Sequence, residues 1–236
     1  IMVGCAMCTQ KYEGRPTWAI ENLFQIAGFG QLVDDCHAYG AKVIVQLTVG
    51  LGRVAYADRL ESAPYGPSET PLRGNPAINT KAFTKEQIAD VVKSYGEAAL
   101  RLKKAGVDGI EMHAYGGYLF DQFLTSAWNQ RTDEYGGSLR NRMRFVLECF
   151  HEAKGTCGKD FPITAKVTVD HRIDKPGYRT IDEGIEICKI LEEEGVDGLH
   201  IDTGCYERYY CQIPSVYEPQ GLQVDVIKKI RENISI

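Results

Sequence analysis

No stretch of this chain approaches the roughly 20 uninterrupted apolar residues that a membrane-spanning helix needs. No basic run or arginine-rich helix is present either, and 27 Lys and Arg against 32 Asp and Glu leave a formal charge of -5. A nucleic-acid surface is therefore not expected. No G-x-G-x-x-G opens a helix, which removes the dinucleotide-binding fingerprint of a Rossmann fold. Residues 1–8, IMVGCAMC, read as a buried-type strand and not as a basic, small-residue leader. A domain seldom opens inside its own core, so a preceding strand is expected. The eight cysteines contain only one close pair, Cys5 and Cys8. This C-x-x-C leaves a redox or metal role open, but no second pair stands at zinc-ribbon spacing. Cys5, Cys36, Cys149 and Cys188 lie in apolar or periodic segments, where a thiol behaves as a small hydrophobe. A disulfide scaffold is not expected in a chain this long with regular helices, and a reducing cytoplasm is the simpler setting.

What is present is an ordinary balance, 44% hydrophobic and 25% charged residues, enough for a substantial core. Strands are predicted near 1–7, 42–48, 107–113, 162–169 and 196–202, each followed by a helix. Residues 10–26, with Gly14 and Pro16, read as a loop, and a short helix is predicted over 29–39. Thr84-x-x-Gln87 and Thr180-x-x-Glu183 read as capping boxes, and Ser138 as a further cap. Residues 50–80 form a long Gly/Pro/Ser-rich connection without strand alternation, of the kind that is usually functional. The final helix is placed over Gly221 to Glu232. AGVDGIEMH (105–113) and EGVDGLHID (194–202) repeat one another: helix end, Gly cap, tight turn, short strand. Such alternation argues for a parallel sheet with helical crossovers. A (β/α)8 barrel is the expected fold, with five of its units in one domain, 1–236, and about three missing.

In such barrels, sites lie at the C-terminal ends of the strands. That rule selects Gln46, His113, the loop 114–136, Lys166 with His171, and the loop 203–217. Strand alternation puts Glu111 and His113 on one face. His113 can point into the barrel mouth or simply bond a neighbour at a strand end, and spacing alone leaves both open. Glu111, deeper, is expected to be an ion-pair partner. Gln46 must bond something, either a core group or a ligand edge. A metal-dependent aldolase or hydrolase using His113, His171 and His200 is a further reading, although their spacing is not that of a metal site.

The stretch GVDGIEMHAYGGYLFDQFLTSAWNQRTDEYGGSLRNRMRF resembles the Old Yellow Enzyme family of flavin-dependent ene-reductases. Within it, the chain is most similar to the bacterial branch of 2,4-dienoyl-CoA reductase, 2-enoate reductase and the bile-acid-inducible steroid oxidoreductases. The resemblance implies FMN across the barrel mouth, reduced by NAD(P)H, and reduction of a C=C bond conjugated to a carbonyl, or the reverse. The implied substrate is a small molecule such as an enoyl-CoA, an enoate, a 3-oxo-steroid or a bile acid. Gln46 matches the residue at the flavin pyrimidine edge, Lys166 stands where a cation near flavin N1 is usual, and Ala6 falls at a main-chain flavin contact. His113 would polarise the substrate carbonyl and Tyr118 would protonate the α-carbon.

One position departs from the pattern. The family has a second His or Asn where this chain has Gly116. Tyr209, in TGCYERYYCQIPSVY, is the candidate replacement, with Tyr115, Gly116, Tyr206, Tyr210 and Tyr217 around the substrate. Gly116 and Gly117 would leave room for a bulky one. A relative that binds flavin or ligand without turnover is the alternative that Gly116 raises. The R-T-D-E-Y-G-G-S turn (131–138) reads as scaffold. The phosphate-binding loops, the four-cysteine iron–sulfur (4Fe-4S) motif and the second nucleotide-binding (FAD) region of the branch are absent from these 236 residues. The expectation is therefore the middle of a larger enzyme, about strands two to six, with no metal of its own. A homo-oligomer is left open.

Overall fold

Five strands lie side by side in sequence order, all parallel: β1 (Met2–Met7), β2 (Ile44–Thr48), β5 (Gly109–Ala114), β6 (Ile163–Asp170) and β7 (Leu199–Thr203). The computed structural model describes residues 1–15 and 18–236; Pro16, in the loop expected over 10–26, lies outside them. Between the strands run α1 (Leu23–His37), α2 (Lys85–Lys104), α3 (Leu119–Leu124), α4 (Leu139–Cys157) and α5 (Ile181–Glu193), and after β7 come α6 (Tyr209–Gln212) and α7 (Val224–Arg231). A sequential strand order is that of a barrel wall; a doubly wound sheet would reverse direction at a switch point. Among the described residues, no helix is long and apolar enough to cross a membrane.

Register explains the two faces of the sheet. Val45, Ile110 and Ile163 are neighbours across three strands, as are Leu47, Met112 and Ala165, and these residues are fully buried in the main core. The other face carries Gln46 beside Glu111, and His113 beside Lys166, which in turn lies beside His200. One face therefore packs against helices while the other presents polar groups, because side chains alternate along each strand.

The two GVDG repeats do the same work twice. Gly106 and Gly195 take positive φ, 87° and 89°, which ends each helix and turns the chain into a strand. Asp108 then accepts from the Val43 amide at 2.8 Å and from Lys42, while Asp197 accepts from the Ile163 amide at 2.7 Å and from Lys154. Each aspartate pins its own strand to the start of the one before.

The capping boxes fare differently. Thr84 and Gln87 bond reciprocally as expected, and Ser138 accepts from the Asn141 amide. Thr180 makes no side-chain cap; Glu183 turns to Arg142 at 2.8 Å. The first helix begins at Leu23, six residues ahead of the expected start, because Asn22 and Gln25 form an unforeseen capping box. The long connection contains a two-residue parallel pair, β3 (Tyr65–Gly66) and β4 (Lys81–Ala82), where no strand was expected. The last helix is shorter than predicted, Val224–Arg231. Cys149 and Cys188 are buried, but Cys5 is exposed and Cys36 half-buried.

The 131–138 turn is scaffold. Arg131 pairs with Asp133 and also donates to the carbonyls of Pro67 and Phe83, while Glu134 reaches Lys85 at 2.6 Å. These bonds fasten the long connection to the segment entering α4.

Candidate active site

The six residues of β5 are all buried. Glu111 accepts from Gln46 Nε2 at 2.6 Å and pairs through its other oxygen with His200 at 3.2 Å. Gln46 thus makes a core bond to Glu111, which is the ion-pair partner expected. His113 is 1% exposed, and its Nδ1 lies 3.1 Å from Thr48 Oγ1. Its ring packs on Tyr118 at 4.2 Å between centroids and edge-on to Tyr115 at 4.8 Å. Burial, helped by the nearby Lys166 charge, lowers the His113 pKa to about 3. The imidazole is therefore neutral near pH 7, with a single N–H. Thr48 engages Nδ1, and Nε2 has no protein partner among the described residues.

Beyond β5 the chain makes a turn that needs glycine twice, with φ of 67° at Gly116 and 87° at Gly117. Both amides are held: Gly116 donates to Thr168 Oγ1 at 2.8 Å and Gly117 to Asp121 Oδ2 at 2.7 Å. Gly116 also bridges to Cys205, which ties the turn to the loop after β7. The turn presents Tyr118, whose hydroxyl lies 2.9 Å from that of Tyr206. Burial and this bond push the Tyr118 phenol well above the ordinary tyrosine value, so it stays protonated.

Tyr206, expected only as a substrate wall, is therefore the tyrosine of this loop that meets Tyr118. Tyr209 is 48% exposed and stacks on the Tyr206 ring at 5.7 Å between centroids; Tyr210 bonds Arg208, and Tyr217 is almost fully exposed. Lys166 sits 3.9 Å over the Tyr115 ring and 3.2 Å from Asp202, so its charge is already partly answered. Ala6 is buried at the end of β1, opposite Leu47. The room expected beside Gly116 is taken: a Cβ there would run into the side-chain amide of Gln212. A cavity of about 650 Å³ opens on the polar face of the sheet, lined by Met2, Ile44, Glu111, Thr164 and His200. It lies toward the opposite strand ends and is not the site.

Beneath the turn is a charged network that residue spacing did not reveal. Asp121, His171 and Arg179 are all essentially unexposed. Arg179 donates Nη1 to Asp121 Oδ1 at 2.5 Å and to the Thr168 carbonyl, and Nη2 to Thr125. The Arg179 amide donates to His171 Nδ1 at 3.0 Å, so the Nε2 of His171 carries the proton it gives to Asp121. The available signal was an aspartate within the apolar run LFDQFL, a charge that must be paired if the helix is buried. His171 is thus a support for the turn and not a strand-end ligand. Among the described residues no three His, Cys, Asp or Glu side chains are gathered to hold a metal, and His113, His171 and His200 each have a different partner.

A parallel strand-helix wall whose strand ends carry a neutral His, an amide, a lysine and a paired phenol has the build of a barrel-mouth flavin oxidoreductase. The chain belongs to the NADH:flavin oxidoreductase / NADH oxidase family, which it matches over residues 2–230. It is 38% identical over 252 residues to a cinnamate reductase of Clostridium sporogenes, covering 98% of this chain and 38% of that protein. An NADPH dehydrogenase of Bacillus velezensis is 35% identical, with 89% of this chain and 58% of that protein covered. Among solved structures, histamine dehydrogenase from Rhizobium sp. 4-9 aligns with a TM-score of 0.86 at 30% identity, over 99% of this chain and 34% of that one. A 2-naphthoyl-CoA reductase complex with 2-naphthoyl-CoA aligns at 0.85 and 25% identity, over 98% and 36%. The chain spans between about a third and three fifths of the length of these proteins.

Proposed function

We propose that residues 1–236 form the FMN- and substrate-binding barrel domain of an ene-reductase, an enzyme that reduces a C=C bond conjugated to a carbonyl with electrons from NAD(P)H. The observation that carries this reading is the buried, neutral His113 packed against Tyr118, whose hydroxyl is 2.9 Å from Tyr206. A carbonyl polariser and a proton donor side by side are what addition of hydride to an activated alkene requires. The residues fit a flavin. Gln46 offers an amide, Ala6 a main-chain edge, and Lys166, 16% exposed, a cation for the negative charge of the reduced ring.

When bound, FMN supplies the hydride for the β-carbon. His113 donates its Nε2–H to the substrate carbonyl and stabilises the charge that develops on oxygen. Tyr118 gives its proton to the α-carbon. Tyr206 then donates to the Tyr118 oxygen and shares the charge left there. Tyr115 and Lys166 form one wall of the site, and Tyr209 and Tyr210, farther out, meet the exposed end of a substrate. The similarity to a cinnamate reductase supports an enoate or related acid derivative. The whole enzyme is proposed to hold an iron–sulfur cluster and FAD outside this segment and to work in the cytoplasm.

The test is spectroscopic. The flavin band of the full-length protein should bleach with NADH or NADPH and return with cinnamate or another conjugated carbonyl. A flavin that no such acceptor reoxidises would sink the reading.

A further inference from the structure

Gln212 ends the short helix α6 in the loop after β7, and its side chain reaches back to the Gly116 turn. The point where a Cβ of Gly116 would stand is blocked by Gln212 Nε2 and lies 3.2 Å from the amide carbon and 3.3 Å from the Tyr118 ring. The amide thus occupies the space that a side chain at 116 would fill, beside the proposed proton donor. Its Oε1 is buried with no hydrogen-bond partner, and its Nε2 bonds no protein group among the described residues. An amide left unsatisfied in a part-buried place is costly unless something else meets it. His113 packs on the same Tyr118 ring and likewise leaves Nε2 unbonded.

We propose that Gln212 is a substrate-binding residue whose amide hydrogen-bonds the carbonyl or carboxylate oxygen of the substrate, together with His113. Which end of the amide faces inward is set by what it meets, and a carbonyl acceptor selects the N–H end. Gly116 is then part of the design, since any side chain there would displace this amide. The assignment rests on the ene-reductase reading and explains how the site keeps two donors without a donor side chain at position 116.

The test uses Gln212→Leu in the FMN-loaded full-length enzyme, a change that keeps the packing against Gly116 and removes both polar atoms. Two probes with one carbon skeleton are compared, cinnamate and 1-phenylpropene, the second lacking the carboxylate. Binding is read from the shift of the flavin band. Cinnamate should bind about 3- to 10-fold more weakly, the worth of one net hydrogen bond, with 1-phenylpropene unchanged. Thermal stability should hold or rise, because an unsatisfied buried polar atom has been removed. Equal weakening of both probes would show a packing role only, and unchanged cinnamate binding would show no role; either overturns the proposal. Tyr118→Phe in parallel separates the two readings: full turnover in that variant sinks the ene-reductase assignment, whereas its loss beside unchanged cinnamate binding in Gln212→Leu sinks Gln212 alone.

Discussion

The hydroxyls of Tyr118 and Tyr206 lie 2.9 Å apart although 88 residues separate them. Tyr118 follows β5 and Tyr206 follows β7, so the bond joins two strand-end loops across β6. Either hydroxyl can be the donor in this bond.

Tyr206→Phe keeps the ring that stacks on Tyr209 and lies under Arg73 but deletes this bond. The rate of alkene reduction should fall by about 3- to 10-fold, the worth of a single hydrogen bond. Tyr118→Phe removes the proton itself and should cost roughly 10²-fold or more. Stopped-flow reoxidation of the reduced flavin measures both. An equal loss in the two variants would mean that Tyr206 is as essential as Tyr118.

Asp121→Ala leaves Arg179 charged and buried, with only the Glu183 carboxylate, 4.0 Å from its Nε, to answer it. Breaking a buried pair in this way should cost about 3–5 kcal/mol. Asp121→Asn retains an acceptor for the Gly117 amide and should cost less. Denaturant unfolding ranks the two, and a loss below about 1 kcal/mol for the alanine variant would contradict the network's role.

The low pKa of His113, about 3, has two consequences. Its folded-state pKa lies below the ordinary histidine value near 6.5, so the stability tied to its neutral form is complete above pH 6.5 and is lost as pH falls toward 3. Between pH 5 and 7 the ring stays neutral in the folded enzyme, and the rate profile should show no acidic limb from it. An inflection near pH 6.5 that disappears in His113→Gln would contradict this.

Glu13 has the opposite sign. Burial raises its carboxyl to about 7, although the Leu51 amide and Arg15 pull it down. The folded state then holds a proton that the unfolded chain releases near pH 4.5, so stability falls as pH rises from about 4.5 to 7. Glu13→Gln keeps an acceptor for Leu51 and should flatten that slope, raising the unfolding midpoint at pH 8 relative to the parent. A midpoint unchanged at pH 8 would show that Glu13 ionises without cost.

Short-range pattern made much of this protein legible in the sequence. The apolar residues that face the helices gave all five strands of the sheet within a few residues, because they recur along each strand between recognisable helix ends and turns. The GVDG repeats announced two identical helix-to-strand turns, and the segment from His113 to Tyr118 pointed to the candidate site. Caps were half legible. Thr84 paired with Gln87 within its own turn, whereas Thr180 lost Glu183 to Arg142, a residue of another helix.

Only the tertiary structure decided which distant residues meet at the candidate site. Four tyrosines crowd the loop after β7, and no spacing rule says that Tyr206 is the one that turns toward Tyr118. Gly116 looked like empty space until the fold filled it with Gln212 from nearly a hundred residues away. The Asp121–Arg179 pair spans 58 residues. Local sequence determines periodicity and turns because those depend on neighbours along the chain. Partners brought together by register and crossover depend on the whole sheet.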